Sequence, residues 1–197
     1  LFALGLIYNG FLKTLDIEHF RVWSVLGRIG IAWMFAAFAY LAFGRKTRIF
    51  LAFALLAFST VFFSLVTAPG APANADPFSM KWNFGCWLDR TLTGGHTYKP
   101  LFDPEGFSGI LTSIVTAMLG MFPGEIARGG GDAAPSGRKA GALALCAAAC
   151  AAGGWALSFI FPVNKALWSP SFTLLAAAIS FGLFSVFYWI IDVKKTS

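Results

Sequence analysis

Residues 22–67 decide the fold, and they read VWSVLGRIGIAWMFAAFAYLAFGRKTRIFLAFALLAFSTVFFSLVT. Two apolar runs within this stretch, 22–43 and 49–67, are each long enough to cross the roughly 30 Å hydrocarbon core of a bilayer as a helix. Between them, residues 44–48 form a short and strongly basic connection. The stretch therefore predicts two consecutive transmembrane helices joined by a tight basic turn.

The composition of the whole chain agrees with a membrane protein. Of its 197 residues, 57% are hydrophobic and only 12% are charged, whereas a soluble domain has about 25% charged residues. Further apolar runs of spanning length follow at 107–127, 140–161 and 171–191. We predict an all-α, polytopic transmembrane helix bundle that forms one domain over residues 1–197, with about five full spans and part of a sixth at the N-terminus. Because the first residues already continue an apolar run, we interpret the chain as an internal fragment of a longer protein.

The run at 140–161 differs from the others because alanine and glycine dominate it. Small residues let neighbouring helix backbones approach closely within a membrane. We therefore expect this span in the interior of the bundle. Cys146 and Cys150 lie in the same apolar run, where they behave as small hydrophobic residues. Cys86 stands alone in a loop, so no disulfide framework is expected.

The net charge of +6 comes from basic turns beside hydrophobic runs, which orient membrane proteins, and we expect no nucleic-acid partner. The richer set of turns holds Arg45, Lys46, Arg48, Arg128, Arg138, Lys139, Lys194 and Lys195. The opposite short turns hold Lys13, Arg21 and Lys165. The richer set is expected in the cytoplasm, which places the long 68–106 loop on the non-cytoplasmic side together with the 13–21 and 162–170 turns. The loop has no glycosylation acceptor, which favours a bacterial inner membrane.

The 68–106 loop concentrates polar and aromatic residues at one end of the predicted bundle. A linker between two spans needs only a few solvated residues, so this composition suits binding or catalysis at the membrane surface. A short interfacial helix is expected over about 82–92. The candidate functional residues of the loop are Asp89, Arg90, His96, Tyr98, Lys99, Asp103 and Glu105.

Three of these residues are candidates for catalysis. His96 has the intrinsic pKa for proton transfer near neutral pH, although a lone loop histidine is often only solvated. Asp103 and Glu105 directly precede a predicted helix, where the helix dipole favours acidic side chains without any functional role. Alternatively, carboxylates at a cavity mouth orient a sugar hydroxyl or an ammonium group, or act as a base. The two histidines are far apart in the sequence, and we expect no metal site.

Two further segments are expected at the same end. Arg28 lies inside a span, where a charge costs several kcal/mol unless it is paired or faces a cavity. It either extends to the surface or points into a polar cavity, with Asp103 and Glu105 as candidate partners. Asn164, Lys165 and Trp168 combine an amide, an ammonium and an indole in the 162–170 turn. This set suits carbohydrate stacking or contact with a phosphate, or else anchors the turn at the interface.

The order of these motifs resembles the transmembrane acyltransferases related to heparan-alpha-glucosaminide N-acetyltransferase, including bacterial NagX-like membrane proteins. The resemblance covers almost the whole chain. The segments that carry it are Val25–Ile31, Trp87–Leu92, Gly94–Lys99, Phe102–Gly106, Pro162–Ser169 and Trp189–Val193.

The resemblance implies a multi-helix membrane enzyme that takes an acetyl group from acetyl-CoA and passes it to an amino sugar on the non-cytoplasmic side. From the polar set on one face together with this resemblance, we expect Arg28 and Lys165 to contact anionic parts of the donor, Asp103 and Glu105 to orient the acceptor, and Trp168 or Tyr98 to stack against it. We place Asp89, Arg90, Lys99 and Asn164 in the same substrate-binding set. Two features depart from the family pattern. Gly27 stands where the family has a glutamine, and the family's catalytic histidine lies upstream of this chain, so His96 does not take its role.

We therefore expect an acetyl-CoA-dependent N-acetyltransferase whose partners are the lipid bilayer and a small sugar acceptor, and the sequence leaves a homo-oligomer open. The main alternative is a sugar transporter or sugar-binding membrane protein without chemistry. A transporter of this kind is expected to show an inverted repeat with broken helices. Pro123-Gly124 is an interruption of this type, but no matching second half follows in the sequence.

Overall fold

A computed structural model describes residues 1–10, 20–129 and 135–194. Within these ranges the chain is all-α, which confirms the predicted fold class. The helices are α1 (Phe2–Tyr8), α2 (Val25–Ala42), α3 (Arg45–Leu65), α4 (Phe84–Leu92), α5 (Ile110–Arg128), α6 (Gly137–Ser158) and α7 (Pro170–Phe187). A 3-10 turn at Phe107–Gly109 leads into α5, and a π-helical turn at Tyr188–Val193 extends α7.

Five of these elements are long and apolar enough to cross a membrane, so the chain is an integral membrane protein. They are Val25–Ala42, Arg45–Leu65, Phe107–Arg128, Gly137–Ser158 and Pro170–Val193. Large hydrophobic side chains are exposed along their outer faces, as expected for surfaces that contact lipid. The predicted spans are therefore confirmed, with bounds that differ by a few residues.

The basic turn between the first two spans is shorter than predicted. Helix α3 begins at Arg45, after the N-cap residue Gly44, so that Arg45 and Arg48 lie in its first turn. The same end of the bundle holds the last turn of α5, where Glu125 contacts both arginines. The basic turns at 44–48 and near residue 128 thus share one end, as their charge predicted. Lys13 and Lys195, which entered the same prediction, lie outside the described residues.

The span containing α5 is the central one, since it contacts α2, α3, α6 and α7. In its most apolar window 39% of the residues are buried, against 17% in the window of α6. The expected interior position of α6 is therefore wrong. Its small residues instead allow a close approach to one neighbouring helix, α7. A Cβ added at Gly154 would lie 3.0 Å from the backbone nitrogen of Leu175 in α7.

The long loop folds back onto the bundle. Helix α4 forms over Phe84–Leu92 as expected, and the side chain of Asn83 accepts a hydrogen bond from the backbone N–H of Cys86 at 3.2 Å to cap it. A Cβ added at Gly85 would lie 2.5 Å from the side chain of Ser108, so α4 packs directly against the start of the α5 span. The loop therefore holds its polar residues in fixed positions at the end of the bundle where the α5 span begins.

Candidate functional site

An ion-pair cluster joins the segment before α2 to the segment before α5. The Arg21 guanidinium donates to Asp103 through two nitrogens, with Nε to Oδ2 at 2.8 Å and Nη2 to Oδ1 at 2.5 Å. The same Nη2 also contacts the carboxylate of Glu105. Two parallel hydrogen bonds of this kind are the strong geometry for an arginine and a carboxylate.

The Asp103 carboxylate is fully buried, and its neighbours satisfy it. Besides Arg21, it accepts hydrogen bonds from the backbone N–H groups of Tyr98 at 2.9 Å and of Glu105 at 3.0 Å. Burial works against the charge of Arg21, but hydrogen bonds and charge attraction from Asp103 and Glu105 outweigh it and raise the pKa of the guanidinium. Asp103 thus fixes the 98–105 segment, while Glu105 keeps 20% of its side chain exposed.

Arg28 is buried in the bundle, which excludes the alternative that it extends to the surface. Its Nη2 donates to the backbone carbonyl of Pro104, and its guanidinium lies 5.1 Å from the centre of the Trp168 ring. The expected ion pairs with Asp103 and Glu105 are not found, because Arg21 takes both carboxylates. Arg21 was missed as a site residue, since the sequence presents it only as one charge in a polar turn.

Trp168 is held against the bundle by the turn that precedes α7. Its indole Nε1 donates to the hydroxyl of Thr116 in α5 at 3.1 Å, and its backbone adopts a left-handed φ of 50°. The Asn164 carboxamide oxygen accepts from the backbone N–H groups of Ala166 at 2.8 Å and Leu167 at 3.2 Å. Asn164 thus stabilises the turn, and the turn holds the Trp168 ring against the Arg28 guanidinium.

Arg28, Glu105 and Trp168 meet at one groove of about 280 Å³ between α2 and α5. The rest of its wall is mainly apolar and comes from Val25, Ile29, Ala32, Trp33, Ser113, Thr116 and Ala117. The buried Nε of Arg28 has no hydrogen-bond partner among the described residues. Apolar walls with a few convergent polar groups are typical of a binding site for a small molecule.

Asp89 occupies a buried position outside the groove. Its Oδ1 accepts a hydrogen bond from the backbone N–H of Phe107 at 2.5 Å, and its Oδ2 has no hydrogen-bond partner in the described part of the chain. Burial raises the pKa of this carboxyl to about 7, although the hydrogen bond from Phe107 opposes the rise. Asp89 thus caps the start of the α5 span from a different helix, a role that the sequence assigned to the acids immediately before that span.

The remaining predicted residues of the loop do not line the groove. Arg90 donates to the backbone carbonyls of Met80 at 3.3 Å, Lys81 at 3.2 Å and Leu101, so it holds the loop together. Tyr98 is exposed, and its ring lies 4.7 Å from the Arg21 guanidinium. His96 and Lys99 of the loop also lie outside the groove, as do Asn164 and Lys165 of the 162–170 turn.

The loop cysteine has no reactive environment. Cys86 is fully buried beside Phe102 and Leu167. Burial raises the pKa of its thiol to about 12, and nearby Asp89 adds to the rise. Since the thiolate is the nucleophilic form, Cys86 serves as a core residue.

The fold defines an α-helical integral membrane protein, and the groove lies at one end of its bundle. No protein-family model matches the chain, and no curated protein matches it in a sequence comparison.

Proposed function

We propose that this chain is part of a membrane-bound acyltransferase that passes an acetyl group from acetyl-CoA to an amino sugar or related glycan on the non-cytoplasmic side, in a bacterial inner membrane. The resemblance to the heparan-alpha-glucosaminide N-acetyltransferase family motivates the reaction. The observation that carries the proposal is the convergence of Arg28, Glu105 and Trp168 on one groove.

The three groove residues supply complementary contacts. The buried Nε–H of Arg28 has no hydrogen-bond partner among the described residues, which suits a carbonyl oxygen or an anionic group of acetyl-CoA as its acceptor. Glu105 presents a partly exposed carboxylate, which orients the amine or a hydroxyl of the acceptor. Trp168 offers an indole face against which a sugar ring stacks. In the transfer, the acceptor nitrogen attacks the thioester carbonyl carbon, the C–S bond breaks as the amide C–N bond forms, and the proton lost by the nitrogen passes to the departing thiolate to give CoA.

A sugar-binding or sugar-transporting protein without chemistry is the second candidate. The observation in its favour is that two indoles, Trp33 and Trp168, line the groove together with the Glu105 carboxylate. Aromatic faces beside a carboxylate are suited to sugar recognition even when no group is transferred. The two candidates differ in a simple requirement, because only acyl transfer depends on acetyl-CoA.

The first test is calorimetric titration of acetyl-CoA into the purified full-length protein, with CoA as the control ligand. Saturable binding of acetyl-CoA supports the acyltransferase. Absence of binding in a well-folded sample overturns it in favour of the sugar-binding alternative, which predicts sugar binding or transport without acetyl-CoA.

Groove variants then test the assigned residues. We expect Glu105→Gln and Trp168→Leu to lower acetyl transfer by about fivefold each, since a stacking or charge-assisted contact contributes on the order of 1 kcal/mol. Trp155→Leu is the matched control because Trp155 is 65% exposed on α6, away from the groove. If both groove variants transfer acetyl groups as fast as the control, the groove is not the site.

A further inference from the structure

A second cavity, with a polar lining, lies at the opposite end of the bundle among the basic residues whose charge predicted the orientation of the spans. It has a volume of about 500 Å³ and lies between the end of α2, the start of α3 and the end of α5. Its polar lining consists of Tyr40, Arg45, Arg48, Glu125 and Arg128. Three guanidinium groups surround a single carboxylate, so the cavity carries an excess of positive charge.

Arg48 is the fixed element of this cavity. It is 7% exposed, its guanidinium lies 4.4 Å from the centre of the Tyr40 ring, and its Nη2 lies 2.6 Å from Oε1 of Glu125. Its Nε and Nη1 are buried without a hydrogen-bond partner in the described ranges. A buried donor left unsatisfied costs about 1–3 kcal/mol, and more when it is charged. These two nitrogens therefore favour an acceptor that enters the cavity.

The charge selects the acceptor. Guanidinium groups with unsatisfied donors attract the oxygens of a phosphate or carboxylate. Arg45 keeps 59% of its side chain exposed, and Arg128 is also exposed, so both can close on an anion from the water side. Glu125 lies within ion-pair distance of Arg45 and Arg48 and offsets only part of the charge. The cavity thus suits one phosphate group.

The position of the cavity indicates where the phosphate comes from. Arg45 and Arg48 begin a membrane span, so they lie at the level of lipid head groups. Further along α3, a separate apolar groove of about 150 Å³ lies between α3, α5, α6 and α7, where it is lined by residues such as Ala52, Leu119, Cys150 and Leu174. Exposed apolar side chains follow the two arginines on α3, at Ile49, Phe50 and Phe53, so a lipid whose phosphate enters the cavity can lay its acyl chains along this helix.

We propose that this cavity binds the phosphate of an anionic phospholipid, with Arg48 as its buried contact and Arg45 and Arg128 as its exposed ones. The same chemistry would hold free inorganic phosphate, which lacks the acyl chains. The proposal is independent of acyl transfer, because the cavity and the groove lie at opposite ends of the bundle.

Native mass spectrometry of the full-length protein in detergent tests the proposal, with titration of phosphatidylglycerol, phosphatidylcholine or inorganic phosphate. We expect phosphatidylglycerol to bind most tightly. The double variant Arg45→Gln/Arg128→Gln is expected to weaken that binding on the order of 30-fold, given the usual contribution of two basic residues to anionic-lipid binding. Arg138→Gln removes a charge from an exposed residue outside the cavity, and we expect it to bind as the wild type does.

Arg48→Gln provides the second measurement, since it removes the buried donors while the exposed arginines remain. Loss of phosphatidylglycerol binding in a variant that still melts cooperatively supports the proposal. Binding by the double variant equal to that of Arg138→Gln overturns it. Inorganic phosphate that binds as tightly as the lipid also overturns it, because a soluble ion is then the occupant.

Discussion

Replacement of Asp89 by asparagine is expected to stabilise the protein above neutral pH. The side chain of Asp89 is fully buried, and its Oδ2 has no hydrogen-bond partner among the described residues. Asparagine has nearly the same shape and keeps an oxygen that can accept the hydrogen bond from Phe107. The substitution therefore removes the buried charge while it preserves the cap at the start of the α5 span.

The size of the effect follows from the pKa of Asp89, which burial raises from an ordinary value of 3.8 to about 7. Below pH 4 or so the carboxyl is neutral in both the folded and the unfolded state, and its full contribution to stability is present. Between about pH 4 and 7 the unfolded state loses its proton first, so the free energy of unfolding falls by about 4 kcal/mol in total. The loss is complete once the pH exceeds the folded pKa.

The asparagine variant lacks this loss but buries an amide N–H₂ group without a known acceptor, which costs about 1–3 kcal/mol. We expect a net gain of about 2 kcal/mol at pH 8 relative to wild type. That gain corresponds to a rise of roughly 4–8 °C in the thermal midpoint for a chain of this size. At pH 4 the same substitution is expected to be slightly destabilising, so the two pH profiles cross.

Thermal unfolding in one detergent at pH 4, 6 and 8 measures both profiles. Asp103→Asn is the matched control, because Asp103 is equally buried but is paired with Arg21. The Asp103→Asn substitution breaks this ion pair and is expected to destabilise the protein by about 2–3 kcal/mol. This cost is below the range for fully buried pairs, since 23% of the Arg21 side chain remains exposed. A wild-type midpoint that does not fall between pH 4 and 8, or an Asp89→Asn variant less stable than wild type at pH 8, would refute the reasoning.

The other predictions concern close packing and the loop. Gly106→Ala is expected to destabilise by about 1–3 kcal/mol, because the new Cβ would lie 2.1 Å from Oδ2 of Asp89. Gly154→Ala is expected to cost a similar amount by separating α6 from α7, whereas Gly120→Ala, with open space around it, serves as the neutral control in the same thermal assay. Arg90→Gln removes charged donors to three loop carbonyls, and limited proteolysis is expected to cut the 68–106 loop faster than in wild type. Cleavage at the wild-type rate would show that the hydrogen bonds of Arg90 do not hold the loop together.

The spans were predictable because length and hydrophobicity are local properties. Each apolar run needs only its own residues to satisfy its backbone within a membrane. The position of α6 was not predictable in the same way. Its alanines and glycines indicate a close approach to a neighbour, but they do not say how many neighbours surround the helix, and the structure places it at the edge of the bundle.

The site was predictable only in part, because a polar composition does not reveal which partner each group takes. Arg28 stood out since a charge inside a span needs a special environment, and the structure buries its side chain at the wall of a groove. Its presumed carboxylate partners belong to Arg21 instead, through a pairing that no local pattern indicates. Arg90 and Asn164 direct their polar atoms toward nearby backbone groups.

The Arg21–Asp103 pair also constrains how the protein is made. The two residues are separated by 82 positions in the chain, so the ribosome needs roughly 4–16 s to deliver the aspartate after the arginine. During that interval the first two long spans can insert into the membrane, and the charge of Arg21 stays hydrated because Asp103 has not yet been synthesised. The pair therefore forms late in biogenesis, when the α5 span arrives. Insertion of the early spans and formation of the Arg21–Asp103 pair are accordingly separate events. A substitution that breaks this pair is expected to affect the second event and not the first.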